Sequence, residues 1–178
     1  TDYIIPRLFF ETAKKHASKS SLGKKPEKGR PYAYISYAEL EKRVRYMAAA
    51  MLDMGVEARD RVAIMSENAP EWVISDLGIM SSGALNVPVY PTLTHEQLEY
   101  ILNNCEAKGI VVSNNTHYQK VMRIWEQVPT LKFIIYVDPV VEDANCSIET
   151  LSFAALLEKG EASLSEHEAT IQERIDGT

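Results

Sequence analysis

Few residue groupings in this chain combine the types and the spacing that chemistry needs. His95-Glu96-Gln97-Leu98-Glu99 begins like the zinc-binding helix H-E-x-x-H, in which two imidazoles one turn apart hold the metal and the glutamate serves as base. Glu99 stands where the second imidazole is required, and His16, His117 and His167 fall in separate predicted elements, so no metal triad assembles. A capped, solvent-facing helix start is the simpler reading. Asn114-Asn115-Thr116-His117 lies between a predicted strand and a predicted helix, where α/β sheets bind ligands. Those side chains can hold an anion, but Asn and Thr are also ordinary helix caps, and capping is preferred.

A nucleotide-binding βαβ unit needs glycines that let the backbone approach phosphate at a helix N-terminus. The first predicted strand instead runs into Ser66-Glu67-Asn68-Ala69-Pro70, with neither G-x-G-x-x-G nor G-x-x-x-x-G-K, and Glu67 repels phosphate. Trp72 and Trp125, on predicted helices among Val73, Leu77, Val121 and Met122, read as packing rather than as ligand platforms. Cys105 shares a face with Leu98, Ile101 and Leu102 and has no evident His or cation to activate it. Glu41 beside Lys42 and Arg43, and the dispersed acids from Glu158 to Glu168, read as solvated surface. No carboxylate pair and no Ser/His/Asp order stands out, so no catalytic, cofactor-binding or metal-binding residue is assigned.

Composition sets the class of molecule that positions these residues. With 178 residues, 46% of them hydrophobic, the chain can bury about 70% of its unfolded surface in one globular core. Its net charge is −6, with Lys and Arg spread among acids, which argues against a nucleic-acid partner. Cys105 and Cys146 are its two cysteines and form no Cys-x-x-Cys pair, which fits a reducing cytoplasm and indicates neither a disulfide scaffold nor a structural zinc site. No apolar run approaches the roughly 20 residues that cross a bilayer, and no signal sequence opens the chain. The start at Thr1 without methionine and the stop at Thr178 read as a trimmed piece of a longer protein.

Punctuation and periodicity then give the elements. Ile4 to Ala17 has helical spacing, with Pro6 in its first turn. Short strands around Ser21–Gly23 and Tyr32–Ile35 flank the turn composition KKPEKGRP and predict a small hairpin. Ser36 with Glu39 predicts a capping box for a helix whose apolar face is Leu40, Val44, Met47, Ala48, Met51 and Leu52, stopped by Gly55. Strands are predicted at Val62–Met65, Leu85–Tyr90, Ile110–Ser113 and Phe133–Val137. The helices between them start at Asn68 to Glu71, at a Thr94/Gln97 box and at a Thr116/Gln119 box, and Gly83, Gly109 and Pro129 help end them. Asp138 to Ser147 reads as a loop, Ser152 to Lys159 as a short helix ended by Gly160, and Ser165 with Glu168 as the cap of a last polar helix through Arg174. Continuous apolar strands separated by amphipathic helices predict an α/β fold, a mostly parallel sheet with helices on both faces.

Over about Phe9 to Lys159 the sequence resembles the adenylate-forming ligases, most of all the long-chain fatty acyl-CoA synthetases. The match lies in Arg61 to Trp72 (RVAIMSENAPEW), Gly83 to Leu93 (GALNVPVYPTL) and Gln97 to Lys108, with Tyr34-Ile35-Ser36-Tyr37-Ala38-Glu39-Leu40 similar to the family's "TY-EL" segment. Asn86-Val87-Pro88-Val89-Tyr90-Pro91-Thr92 is the segment most characteristic of the long-chain branch, and Arg59 replaces the family's usual Gly before Asp60. The resemblance implies the N-terminal portion of the family's large domain. It also implies a parent enzyme that activates a long-chain fatty acid with ATP and Mg2+ to an acyl-adenylate and passes the acyl group to coenzyme A. The family's Ser/Thr/Gly-rich phosphate loop, adenine segment, ribose-binding Asp and C-terminal catalytic Lys have no counterpart before Thr178.

The expectation is therefore one partial AMP-binding-type domain over 1–178, with an N-terminal helix, hairpin and capped helix at 1–60, a βα repeat at 61–137, and a loop and helices at 138–178 leading to the phosphate loop. By itself it is expected to be non-catalytic, to bind no cofactor, and to belong to a cytoplasmic parent with peripheral membrane contact. The exposed apolar surface or strand edge of an incomplete sheet favours self-association, and the resemblance implies a homodimer. A free-standing α/β interaction or regulatory module is the alternative reading. A flavodoxin-like domain fits less well, because paired acids do not follow the first strand.

Overall fold

The computed structural model describes residues 4–26, 29–141 and 146–177. Part of the expected hairpin turn (27–28), the centre of the expected 138–147 loop (142–145) and the two terminal threonines lie outside the described residues.

The chain opens with helix α1 (Ile5–Lys15), with Pro6 in its first turn. The hairpin follows as antiparallel strands β1 (Ser20–Lys24) and β2 (Ala33–Ser36), paired from Lys24↔Ala33 back to Ser20↔Ser36. Ser36 then caps α2 (Tyr37–Asp53) by accepting the Glu39 backbone N–H at 3.1 Å. The expected capping box is only half made, because the Glu39 carboxylate turns along the helix to Arg43 at 2.7 Å. Gly55 has φ +74° and takes the left-handed turn beyond the helix.

From there the chain builds one five-stranded parallel sheet: β3 (Arg61–Met65), β4 (Leu85–Pro88), β5 (Gly109–Val112), β6 (Phe133–Tyr136) and β7 (Glu149–Ser152), in the order β4-β3-β5-β6-β7. Between these strands run α3 (Pro70–Ser81), α4 (His95–Asn104) and α5 (Asn115–Met122), and α6 (Phe153–Gly177) follows β7. Alternation along each strand sorts the side chains onto two faces. Val62, Ile64, Val111, Phe133 and Ile135 pack with α2, α3 and the first turn of α6, while Ala63, Met65, Ile110, Val112 and Ile134 pack with α4 and α5. Helices on both faces are what these continuous apolar strands demand, since each fully buried Val, Leu or Ile contributes roughly 1.5–3 kcal/mol.

Four local expectations change. Gly109 does not end a helix; it opens β5, where a Cβ would lie 2.0 Å from the Phe133 ring, so only glycine lets that ring cross the strand. The Thr116/Gln119 box is replaced by Asn114, whose Oδ1 accepts the His117 N–H at 3.2 Å, and α3 starts at Pro70 with no side-chain cap. Trp125 sits in a 3₁₀ turn (Trp125–Gln127) instead of an α-helix.

The largest change is at the C-terminal end, where a fifth strand follows the expected loop at Glu149–Ser152 and one 25-residue helix replaces two short ones. Ser152 caps that helix by accepting the Ala155 N–H, and Gly160 passes through it instead of stopping it. A Cβ on Gly160 would stand 1.8 Å from the Tyr46 carbonyl oxygen, so the glycine marks where α6 crosses α2 in close contact. Ala48 and Ala49 of α2 meet Ile171 and Ile175 of α6 in the same crossing. The face of α2 turned away from the sheet is thereby covered.

Candidate functional site

In the sheet, the chain steps from β3 outward to β4 along one face, then crosses to β5 on the other side of β3 along the opposite face. The two connections part at the carboxyl ends of β3 and β5, the crevice where open α/β sheets bind ligands. Residues just beyond those strands meet there. Glu67 follows β3, Ser113 follows β5, and Asn114 and His117 begin α5.

The Ser113 hydroxyl donates to Glu67 Oε2 at 2.5 Å, and His117 Nδ1 lies 2.9 Å from the same Ser113 Oγ. His117 Nε2 is 3.5 Å from Glu67 Oε1, which closes a three-membered ring of contacts. Asn114 Nδ2 donates to Ser113 Oγ at 3.2 Å. The hydroxyl has one hydrogen and gives it to the carboxylate, so the neutral imidazole bonds Ser113 by donating through Nδ1. This is the reverse of an activated serine, in which the hydroxyl donates to the ring. The group therefore acts as a clasp joining two strand ends to the first turn of α5.

Electrostatics agree with that role. The side chain of His117 is 6% exposed, and burial pushes its imidazole below the ordinary histidine range, partly offset by the Glu67 charge and reinforced by Lys120. The Glu67 carboxyl is held below the usual carboxylate range, first by the Ser113 hydroxyl. Glu67 is also a wall of a cleft of about 610 Å³ bounded by Asn68, Trp72, Val89 and Tyr90. Trp72 packs on the core with part of its surface and forms the wall shared with a second cleft of about 580 Å³, whose other side is Lys24, Lys25 and Tyr32 of the hairpin. The segment Asn86 to Thr92 forms β4 and the turn after it, which presents Tyr90 at 77% exposure. Asn86 Nδ2 donates to Asp76 Oδ1 at 2.6 Å, and burial pushes the Asp76 carboxyl up.

The other sequence candidates stay apart. His95 pairs with its neighbour Glu96 at 3.0 Å on the solvent side of α4, and His167 holds Asp53 at 2.6 Å, tying α6 to the end of α2. His16 lies beside the Tyr37 ring. Cys105 is half-buried, its thiol is pushed up by burial, and its Sγ faces the Leu102 carbonyl. A cation does reach it: Arg61 donates to the Cys105 carbonyl oxygen, bonding the backbone and not the sulfur. Cys146 Sγ rests 4.0 Å from Met122 Sδ. Sequence reading missed the assembly of Glu67, Ser113 and His117. The one local signal was the i, i+4 spacing of Ser113 and His117 across a strand end.

Among the described residues no group of three or more His, Cys, Asp and Glu could hold a metal ion, and no helix is long and apolar enough to cross a membrane. The switch-point crevice offers one carboxylate and no glycine-rich turn, so its residues do not fit a magnesium–triphosphate, and no chemical step is derived through one.

Comparison with known proteins gives this architecture its relatives. The family model described as "AMP-binding enzyme" matches residues 9–172. The long-chain-fatty-acid–CoA ligase ACSBG1 of Rattus norvegicus is 32% identical over 139 residues, covering 77% of this chain and 19% of that protein. ACSBG2 of Xenopus laevis, also a long-chain-fatty-acid–CoA ligase, is 34% identical over 139 residues, covering 78% and 18%. The chain thus spans about a fifth of the length of these curated relatives. Among solved structures, the anthranilate CoA ligase AuaEII in complex with anthranoyl-AMP superposes with a TM-score of 0.75 at 22% identity, over 88% of this chain and 28% of that one. The A domain of a carboxylic acid reductase from Segniliparus rugosus superposes with a TM-score of 0.73 at 15% identity, over 87% and 30%. At these identities the two structures establish the fold.

Proposed function

Because this chain belongs to the AMP-binding enzyme family, we propose that it is the N-terminal part of a longer AMP-forming ligase that joins long-chain fatty acids to coenzyme A through an acyl-adenylate, and that it performs no catalysis alone. The observation that carries the reading is the 139-residue match to long-chain-fatty-acid–CoA ligases, confined to about a fifth of their length. In this reading residues 1–178 form a partial AMP-binding-type domain, and ATP, Mg2+ and coenzyme A are handled by residues beyond it. The clasp at Glu67, Ser113 and His117 gives the crevice its shape rather than its chemistry. The parent is placed in the cytoplasm with peripheral membrane contact, and the chain pairs as a homodimer.

Isothermal calorimetry of the chain with ATP and Mg2+ is expected to show no tight binding, and acyl-adenylate formation by the isolated chain would overturn the proposal. The coding sequence past Thr178 separates it from the alternative. A Ser/Thr/Gly-rich loop ending Pro-Lys-Gly supports the ligase, whereas an immediate stop codon supports a free-standing α/β interaction module. Sedimentation that stays monomeric over a wide concentration range would remove the homodimer.

A further inference from the structure

The charge of this chain is divided along its length. Residues 1–32 hold eight Lys and Arg against three Asp and Glu, in a chain whose totals are 19 and 25. The spread of bases seen in the whole sequence therefore hides a basic first sixth ahead of an acidic remainder.

In the fold that segment is an outer layer, α1 and the hairpin. Of its described residues up to Ser36, only Pro6 and Ala13 are buried. Lys14, Lys15, Lys19 and Lys25 are exposed, and their ammonium groups make no ion pair among the described residues. Arg7 and Lys24 of the same layer do hold carboxylates, Asp176 at 3.6 Å and Glu71 at 3.1 Å, as Arg43, Arg45, Arg61 and Lys108 do in later elements, so the four lysines are the part of the layer's charge left for a partner.

The same layer carries apolar groups that the core does not use. Of the eight large hydrophobic residues exposed among the described residues, four lie in it: Ile5 at 60%, Leu8 at 41%, Tyr32 at 55% and Tyr34 at 63%. Ile5, Leu8, Thr12 and Lys15 follow one another along a single exposed stripe of α1 at helical spacing, apolar at its start and cationic at its end. Tyr32 and Tyr34 lie together on the hairpin with ring centres 6.0 Å apart.

Exposed cations in one layer with exposed aliphatic and tyrosine side chains are the pattern of a surface that lies on an anionic bilayer. The cations meet headgroup charge, and the apolar groups enter the boundary region. A duplex nucleic acid uses the cations and leaves Ile5 and Leu8 without a role. We propose that the N-terminal layer, α1 with the β1–β2 hairpin, docks this protein peripherally on the surface of anionic phospholipid membranes. The inference rests on the membrane contact proposed above and names the surface that makes it.

Co-sedimentation of the 178-residue chain with phosphatidylcholine vesicles, with and without phosphatidylserine, tests it, with circular dichroism to verify that each variant is folded. Binding is expected to require phosphatidylserine. It should fall ~tenfold or more on reversing two cations in Lys14→Glu/Lys15→Glu, weaken in Ile5→Ser/Leu8→Ser, and weaken as salt shortens the screening length from about 10 Å at 0.1 M. Arg123→Glu/Lys132→Glu changes the net charge equally on a different surface and should bind like the parent sequence. Equal loss in both charge-reversed pairs would keep the membrane contact and sink this surface. Absence of vesicle binding, equal binding to phosphatidylcholine alone, or tighter binding to a DNA duplex than to the anionic vesicles would sink both. None of these results reads acyl transfer, so the ligase proposal is tested separately.

Discussion

Both ends of the parallel sheet carry charged residues, but the two ends use them differently. At the amino end, Lys108 reaches Asp60 at 2.7 Å and the Gly55 carbonyl at 2.6 Å, while Arg61 reaches Glu106 at 2.6 Å and the Cys105 carbonyl at 2.5 Å. These two cations each join separate chain segments and are consumed in doing so. At the carboxyl end, Glu67, Ser113 and His117 bond mainly to one another beside open clefts, with a buried neutral imidazole where a further ion pair would otherwise sit. The amino end is a staple, and the carboxyl end is a shaped crevice. An ionic cluster in this fold therefore signals stability or a site according to which end of the strands it occupies.

The contrast can be broken most strongly at the amino end. Gly109→Ala places a Cβ against the Phe133 ring and should cost about 1–3 kcal/mol in urea denaturation, the range for overpacking a core; an unchanged midpoint would show that β5 and β6 can slide apart. Lys108→Met is next, at about 1–2 kcal/mol near neutral pH, because it takes the ammonium donor from the Gly55 carbonyl and from Asp60, which keeps only the Glu57 N–H. The same variant sharpens the acid limb. Burial pushes the Asp60 carboxyl up, but the Lys108 hydrogen bond and the Glu57 backbone N–H bring it to a net position below the ordinary value. A lowered carboxyl contributes stability above its unfolded pKa of about 3.9 and loses it as pH falls toward the folded value, so Lys108→Met should flatten stability below pH ~4.

At the carboxyl end, burial holds the His117 imidazole below its unfolded pKa of about 6.5, so the unfolded chain binds the proton more readily. Stability should fall as pH drops through about 6.5 and level off below the folded value. His117→Gln should remove that slope between pH 7 and 5, as read by denaturation at each pH. The smallest effect is expected for Glu67→Gln, under about 1 kcal/mol at neutral pH, because the side chain is 59% exposed and the amide oxygen can still accept from Ser113. A loss well above that would move Glu67 from the crevice class into the staple class.

How much of this was readable beforehand depended on how local the cause was. The Thr94/Gln97 box formed as expected, because both of its hydrogen bonds close within four residues of chain. Strands β3 to β6 were visible from apolar runs alone. Strand β7, Glu149-Thr150-Leu151-Ser152, carries one aliphatic residue and is a strand because β6 pairs with it from Phe133↔Glu149 to Tyr136↔Ser152. Gly160 read as a helix stop because glycine usually is one; its reason lies in the carbonyl of Tyr46, 114 positions earlier. The clasp was hidden for the same cause, since Glu67 and Ser113 are separated by 46 residues and only the register of β3 with β5 brings them together.

The sequence by itself determined the periodicities, the capped helix starts, the family motifs from Arg61 to Lys108, and hence a wound parallel sheet with helices on both faces. Those follow from short-range stereochemistry and from where apolar side chains recur. Only the tertiary structure decided that a polar tetrapeptide becomes an edge strand, that a glycine admits a 25-residue helix against α2, and that three polar residues close on one another at the switch point. These depend on contacts between residues far apart in the chain, which no local pattern records.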